Sequence, residues 1–231
     1  MPKNVKNTTF PSLLDLIAPH SCRGCGLTGS ILCDRCKKYI LKNHQNLCPI
    51  CKEPNKHGIC RNHQNNLPPT FIIGERTELL GVLIHDYKYR SIRALKKPLA
   101  ELLYHILPTP NPNTIIIPLP TISKHIRSRG LDHTYLIAKN LAKLNSNYHV
   151  TKLLLRNKNT VQVGTDLKTR QSQASSAYAL NPKYTINPSN TYILLDDVWT
   201  TGASLLAATK MLQQAGANHL QIAILALSRL N

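Results

Sequence analysis

Four stretches of the chain are predominantly apolar and of strand length: Thr70-Phe71-Ile72-Ile73-Gly74, Thr114-Ile115-Ile116-Ile117, Tyr192-Ile193-Leu194-Leu195 and Leu220 to Leu227. Between them the pattern changes to helical spacing. Leu79 to Tyr89, Ile92 to Leu107, Asp132 to Leu144 and Ser204 to Ala215 read as helices, the last closed by Gly216. In the third of these, Leu136, Ile137, Leu141 and Leu144 recur on one face. Strands that are apolar on both sides, alternating with helices, predict a parallel sheet covered on both faces, hence an α/β fold. Residues 156–178 are polar and carry little periodicity. Asn65-Asn66-Leu67-Pro68-Pro69 reads as a boundary, so the expected division is 1–66 and 67–231.

Composition narrows the class. The 231 residues are 42% hydrophobic and 17% charged, too apolar for a disordered tail. No run approaches the roughly 18 apolar residues of a membrane-spanning helix. The first apolar stretch, Leu13-Leu14-Asp15-Leu16-Ile17-Ala18, is short and holds an acid, so no signal peptide and a cytoplasmic location are expected. Lys and Arg number 29 against 11 acids, a net charge of +18. Residues 1–66 hold ten basic and three acidic residues, and residues 67–231 nineteen and eight. The excess is therefore spread over the chain. It suits a polyanionic partner such as nucleic acid, each neutralised phosphate releasing counterions. A merely basic, solvated surface is the competing reading.

All seven cysteines lie in the first segment, as Cys22-x2-Cys25-x7-Cys33-x2-Cys36 and Cys48-x2-Cys51-x8-Cys60-x2-His63. Four ligand pairs suffice for two closed tetrahedral zinc sites, structural rather than catalytic. Gly26 and Pro49 suit the tight turns. Sequential pairing is the simplest and a cross-braced one is also open. His63 is the weakest ligand of the eight, with His44 and His57 nearby.

The sharpest motif is Tyr192-Ile193-Leu194-Leu195-Asp196-Asp197-Val198-Trp199-Thr200-Thr201-Gly202-Ala203-Ser204. A buried strand delivers two acids, a small hydroxyl-rich turn follows, and a helix begins. Ligands of open α/β sheets bind beyond strand carboxyl ends. Thr200, Thr201, Gly202, Ala203 and Ser204 can offer amides and hydroxyls to a phosphate at a helix N-terminus. Asp196 and Asp197 would repel that phosphate and suit the neutral hydroxyls of a sugar. One ligand meets both demands, a 5-phosphorylated ribose.

This motif resembles the diphosphate-sugar loop of type I phosphoribosyltransferases: four apolar residues, two acids, then Thr-Thr-Gly. Trp199 departs from the small aliphatic common there, and either packs on the sheet or covers the ligand. Over Leu13 to Ser228, the Cys-rich front joined to such a domain resembles the competence protein F family. Pro118-Leu119-Pro120 resembles its pyrophosphate-side loop. Arg127-Ser128-Arg129-Gly130-Leu131-Asp132-His133 resembles its Arg-Gly-Phe-Asp-His motif, with Leu131 for the aromatic. His85-Asp86-Tyr87-Lys88-Tyr89 resembles its Lys-Tyr segment. Gln162, Arg170, Gln173 and Tyr178 fall in its mobile-loop signature, and His63 replaces its usual last cysteine.

The resemblance implies a fold of type I phosphoribosyltransferase kind behind a zinc module, and a cytoplasmic protein of natural transformation. It implies contact with incoming single-stranded DNA and with other DNA-uptake proteins, and binding of phosphoribosyl pyrophosphate with Mg2+. The sugar-phosphate residues are Asp196, Asp197 and Thr200 to Ser204. Leu119, Pro120, Arg127 and Arg129 are candidates for the pyrophosphate side. Lys88, Arg90 and Arg93 interleave with Tyr87 and Tyr89 as a DNA-binding candidate, as do Arg23, Arg35, Lys37, Lys38 and Lys52 on the knuckles. Residues 156–178, with Gly164 as hinge, are nominated as a lid. The alternative is an active phosphoribosyltransferase with an unidentified acceptor. No catalytic base can be named.

Overall fold

The structure is a computed structural model that describes residues 20–76, 78–121, 126, 130–157 and 177–228. Its elements, in chain order, are α1 (Asp34–Lys42), β1 (Thr70–Glu75), α2 (Glu78–Tyr89), α3 (Lys96–Ile106), β2 (Thr114–Pro118), α4 (His133–Ala142), β3 (Tyr148–Val150), β4 (Leu154–Arg156), β5 (Tyr178–Leu180), β6 (Thr191–Trp199), α5 (Ala203–Gln214) and β7 (His219–Leu227). A short 3-10 turn, Arg93–Leu95, leads into α3.

The fold is α/β: five parallel strands in the order β1-β7-β6-β2-β3, flanked by helices. Successive side chains of a strand point to opposite faces. Phe71, Ile73, Ile193, Leu195, Ala223 and Leu225 accordingly pack with α2, α3 and α4, while Ile72, Tyr192, Leu194, Ile222 and Ile224 pack with α5. Both faces are buried, which is why the strands read as unbroken apolar runs. The three-residue β3 and the antiparallel β4–β5 pair are too short to leave a periodic signal.

The strand order reverses between β6 and β2. From β2 the chain crosses through α4 outward to β3; from β6 it crosses through α5 the other way to β7. A crevice opens at such a switch point, above the strand carboxyl ends.

The Cys-rich segment is grafted onto the free edge of β1. Asn46 accepts from the Ile72 amide at 3.0 Å and donates to the Thr70 carbonyl at 3.1 Å. His44 Nδ1 lies 2.9 Å from the Ile73 carbonyl, and the Thr70 amide donates to Gly58 at 2.8 Å. The segment thereby occupies main-chain groups that an open edge would offer to another chain. It straddles the sheet: Cys22, Leu32, Cys36 and Ile40 join the core on the α2–α4 face, and Cys48, Cys60 and Leu67 join that on the α5 face.

Replacing Asn46 with Ala strands one donor and one acceptor of the β1 edge. The expected cost is about 1–3 kcal/mol, read as a lower urea midpoint with unchanged slope.

Candidate functional site

At the switch point β2 stops pairing at Pro118↔Leu195, while β7 accompanies β6 to Trp199↔Leu227. Asp196 and Asp197 therefore lie inside β6, where its β2 side has become free, rather than beyond its end. The chain leaving β2 turns there through Leu119 and Pro120, with the Leu119 amide donating to the Leu195 carbonyl at 2.8 Å. A cleft of about 220 Å³ results, lined by Lys88, Leu119, Pro120, Thr121, His133, Arg156, Tyr178, Asp196, Asp197 and Ser204.

Its charges are arranged in pairs. Lys88 Nζ lies 2.8 Å from Asp197 Oδ2, both side chains mostly shielded. The Asp197 amide donates to Asp196 Oδ1 at 2.8 Å. Burial, and next the neighbouring Asp197 carboxylate, push the Asp196 carboxyl up to about 8. Opposite, Arg156 at the end of β4 donates to the Tyr178 hydroxyl at 3.1 Å. His133 is buried at the start of α4, its ring edge-on to Tyr87 at 4.8 Å, and Tyr87 donates to its carbonyl at 3.0 Å.

Beside the cleft, Asp196 and Val198 to Leu205 wall a smaller cavity of about 80 Å³. Thr200, Thr201, Ala203 and Ser204 are exposed, and Gly202 is the N-cap of α5 at φ 74°. A Cβ on Gly202 would overlap the Trp199 indole. Trp199 is buried under the loop with the α5-side core, so it packs on the sheet. Its bulk makes glycine obligatory above it. As N-cap, Gly202 has no side chain to offer the first turn of α5; the Ala203 amide donates instead to Thr201 Oγ1 at 3.4 Å.

The sequence motifs meet here: Leu119 and Pro120 from one segment, Asp196, Asp197 and Ser204 from another. Lys88, taken from sequence as a nucleic-acid contact, points into the cleft. Its neighbours diverge. Tyr87 is buried, Tyr89 is exposed with its ring centroid 5.3 Å from that of His85, and Arg90 and Arg93 are exposed. Arg127, Arg129, Gln162, Gly164, Arg170 and Gln173 lie outside the described residues. Of the segment nominated as a lid, only the two ends are described; the Asn157 amide donates to the Ala177 carbonyl at 2.9 Å and holds them together. Arg156 was not singled out from sequence; the short run Leu153-Leu154-Leu155 before it was the available signal.

The cysteines form two groups in sequential pairing: Cys22, Cys25, Cys33 and Cys36, and Cys48, Cys51, Cys60 and His63, with all donor atoms of a group within 4.8 Å of one another. Cys25 Sγ lies 3.6 Å from Cys33 Sγ, Cys51 Sγ 3.6 Å from Cys60 Sγ, and His63 Nδ1 3.5 Å from Cys60 Sγ. Zinc–sulfur bonds of about 2.3 Å in a tetrahedron demand sulfur–sulfur edges of about 3.8 Å, so both groups fit such an ion. Burial opposes ionisation of Cys22, yet the amides of Cys33, Cys25 and Gly24 hold its thiol at about 6, and a hydrogen bond with His63 lowers Cys60 to about 7; burial raises Cys36 to about 12 and Cys48 to about 11, so a bound cation would have to displace those two protons. Gly24 is packed so tightly on Cys36 that an added Cβ would lie 2.7 Å from its sulfur.

No family model matches the chain. It is 27% identical over 206 residues to Competence protein F of Haemophilus influenzae, covering 83% of this chain and 88% of that protein. It is 22% identical over 199 residues to Competence protein ComFC of Bacillus subtilis, covering 80% and 79%. Both similarities support the competence protein F family, on which the motifs had already converged. Among the described residues no helix is long and apolar enough to cross a membrane.

Two measurements check the site. Elemental analysis of purified protein is expected to find two zinc ions per chain, and one in His63→Ala; a zinc-free wild type would refute the ligand assignment. An acid with a raised folded pKa binds more protons folded than unfolded. Stability relative to Asp196→Asn should therefore fall as pH rises from the ordinary carboxylate range near 4 to about 8, then level off. Parallel urea midpoints across that window would show the Asp196 carboxyl to be unperturbed.

Proposed function

We propose that the cleft between β2 and β6 binds a 5-phosphorylated ribose bearing a pyrophosphate, and that the protein uses this ligand while handling incoming single-stranded DNA in natural transformation. The observation that carries the reading is the switch-point crevice, where one strand supplies two adjacent acids and the next helix starts in a glycine-capped hydroxyl loop.

Each part of the ligand has a chemical counterpart. The 5-phosphate suits the Thr200–Ser204 loop, where α5 amides and three hydroxyls add to the favourable end of the helix dipole. The ribose hydroxyls suit Asp196 and Asp197. The pyrophosphate, arriving with its Mg2+, suits the Leu119–Pro120 turn and the ammonium of Lys88, with Arg156 across the cleft. Arg127 and Arg129 remain candidates for the same role. Departure of pyrophosphate would leave oxocarbenium character at the anomeric carbon; the Asp197 carboxylate supplies negative charge near it, as electrostatic stabilisation requires, while Asp196, its carboxyl pushed up to about 8, offers the ribose hydroxyls a hydrogen-bonding partner. No described residue stands out as a base for an acceptor.

For the nucleic acid, the net charge of +18 supports a polyanionic partner, and the names of the two relatives support DNA uptake. The His85–Tyr89 ring pair beside exposed Arg90 and Arg93 is the surface we assign to a single strand, since stacking on aromatic rings tolerates any base. A cytoplasmic location belongs to the same reading.

Calorimetric titration with phosphoribosyl pyrophosphate and Mg2+ should give saturable binding to wild type and none to Asp196→Ala/Asp197→Ala. Unchanged affinity in the double variant would overturn the site. Pyrophosphate release upon adding nucleobases or amines would convert the reading to that of a transferase. Affinity for short single strands should fall steeply with salt and weaken in Tyr89→Ala/Arg90→Ala; salt-independent binding would count against the DNA surface.

A further inference from the structure

Helix α2 is gripped along its length by the first cysteine group. Tyr39 of α1 donates its hydroxyl to Glu78 at 3.2 Å. Gly24, between Cys22 and Cys25, packs against the Leu79 side chain and Cys36 Sγ together. One turn before the end of the helix, Arg23 Nε donates to Asp86 Oδ2 at 2.6 Å, and a second nitrogen of the guanidinium pairs with the same oxygen. Asp86 is 1% exposed. Its other oxygen faces Arg90 Nε at 3.5 Å and His85 Nδ1 at 3.6 Å, both on exposed side chains. Two residues beyond Asp86, Lys88 reaches Asp197 in the cleft.

A carboxylate so deeply buried is costly unless paired, and Arg23 provides its closest contacts. Arg23 in turn lies between Cys22 and Cys25 of the first group, on a turn whose shape is set by the Gly26 amide donating to the Cys22 carbonyl at 2.9 Å and by the metal the four thiols would hold. The rigid α2 connects that turn to the ammonium of the cleft.

Resting on the phosphoribosyl reading, we infer that Arg23 is a positioning residue for the ligand cleft: through Asp86 it fixes the last turn of α2, so the state of the first cysteine group governs whether Lys88 stands where an anionic ligand meets it. The second group lies on the opposite face of the sheet and has no such connection among the described contacts. The position of Lys88, the ammonium half of the cleft, is thereby tied to metal loading of the first group and not of the second.

The test is a double-mutant cycle read two ways in the full chain. In Arg23→Gln, with two zinc ions retained, affinity for phosphoribosyl pyrophosphate should fall about tenfold, and Arg23→Lys should recover part of it. In a Lys88→Met background the Arg23→Gln loss should vanish, because Arg23 acts through Lys88; equal losses in both backgrounds would overturn the inference. The second reading needs no ligand. Acylation of Lys88, followed by mass spectrometry, should accelerate about tenfold in Arg23→Gln and in Cys25→Ser, and stay slow in Cys51→Ser. An unchanged rate in Arg23→Gln overturns the inference. Wild type that fails to bind the sugar phosphate while Lys88 still responds to Arg23 would defeat the functional reading and leave the coupling standing. If Arg23→Gln does not fold, Arg23→Gln/Asp86→Asn, which leaves no unpaired buried charge, replaces it with the same expectations.

Discussion

Two neighbouring parallel strands whose crossovers depart in opposite directions leave a gap above their carboxyl ends, because neither following helix covers it. That gap between β2 and β6 organises the rest of this molecule. β6 outlasts β2 by several residues, so Asp196 and Asp197 keep strand geometry on the β7 side while their other side is open. Two adjacent strand residues point to opposite faces. Asp197 accordingly meets Lys88 from α2, on one face of the sheet, while Asp196 lines both the cleft and the loop cavity that opens α5 on the other. The loop can approach the strand closely only because Gly202 lies over Trp199 without a Cβ. A bulky buried indole and an obligatory glycine thus depend on each other.

Buried charge is the second constraint. Asp86 and Glu101 are both buried and both are paired with cations from the Cys-rich segment: Arg23 to Asp86, and Lys37 to Glu101 at 2.7 Å. Burial opposes the charge on Lys37, and the hydrogen bond and field of Glu101 more than restore it. Breaking such a pair by removing one partner costs far more than the pair contributes while intact. The two pairs therefore fix where the segment sits on α2 and α3 more than they stabilise it. Lys37 and Arg23, read from sequence as nucleic-acid contacts, are used inside the molecule.

Much of the fold was legible because buried parallel strands and amphipathic helices have distinct periods. The runs at Thr70, Thr114, Tyr192 and Leu220 are the four longest strands of the sheet, and the four expected helices are α2 to α5; α1, inside the Cys-rich segment, was not anticipated. β3, β4 and β5 escaped because three residues cannot show a period. The cysteine spacing anticipated both groups, and only the structure decided between sequential and cross-braced pairing. The Asp196–Ser204 motif was visible because strand, acids, loop and helix are contiguous. Arg156, Tyr178 and His133 come from three separate elements, and the Lys88–Asp197 pair from residues more than a hundred positions apart. No local pattern could announce that they meet.

The position of the two cysteine groups follows from the size of the segment that carries them. A few tens of residues cannot bury enough apolar surface to hold together alone; metals and attachment to a larger body make up the difference. Here attachment takes place at the one part of a parallel sheet that has unsatisfied main-chain groups, its edge. Asn46, His44 and Gly58 meet β1 there, and the two groups fall on either side, each adding cysteines to a different face of the same sheet. Loss of one group would therefore be felt on one face first. The face with α2 carries the ammonium of the ligand cleft, and the face with α5 carries the body of the loop helix. A single graft thus places each cysteine group behind a different half of the site.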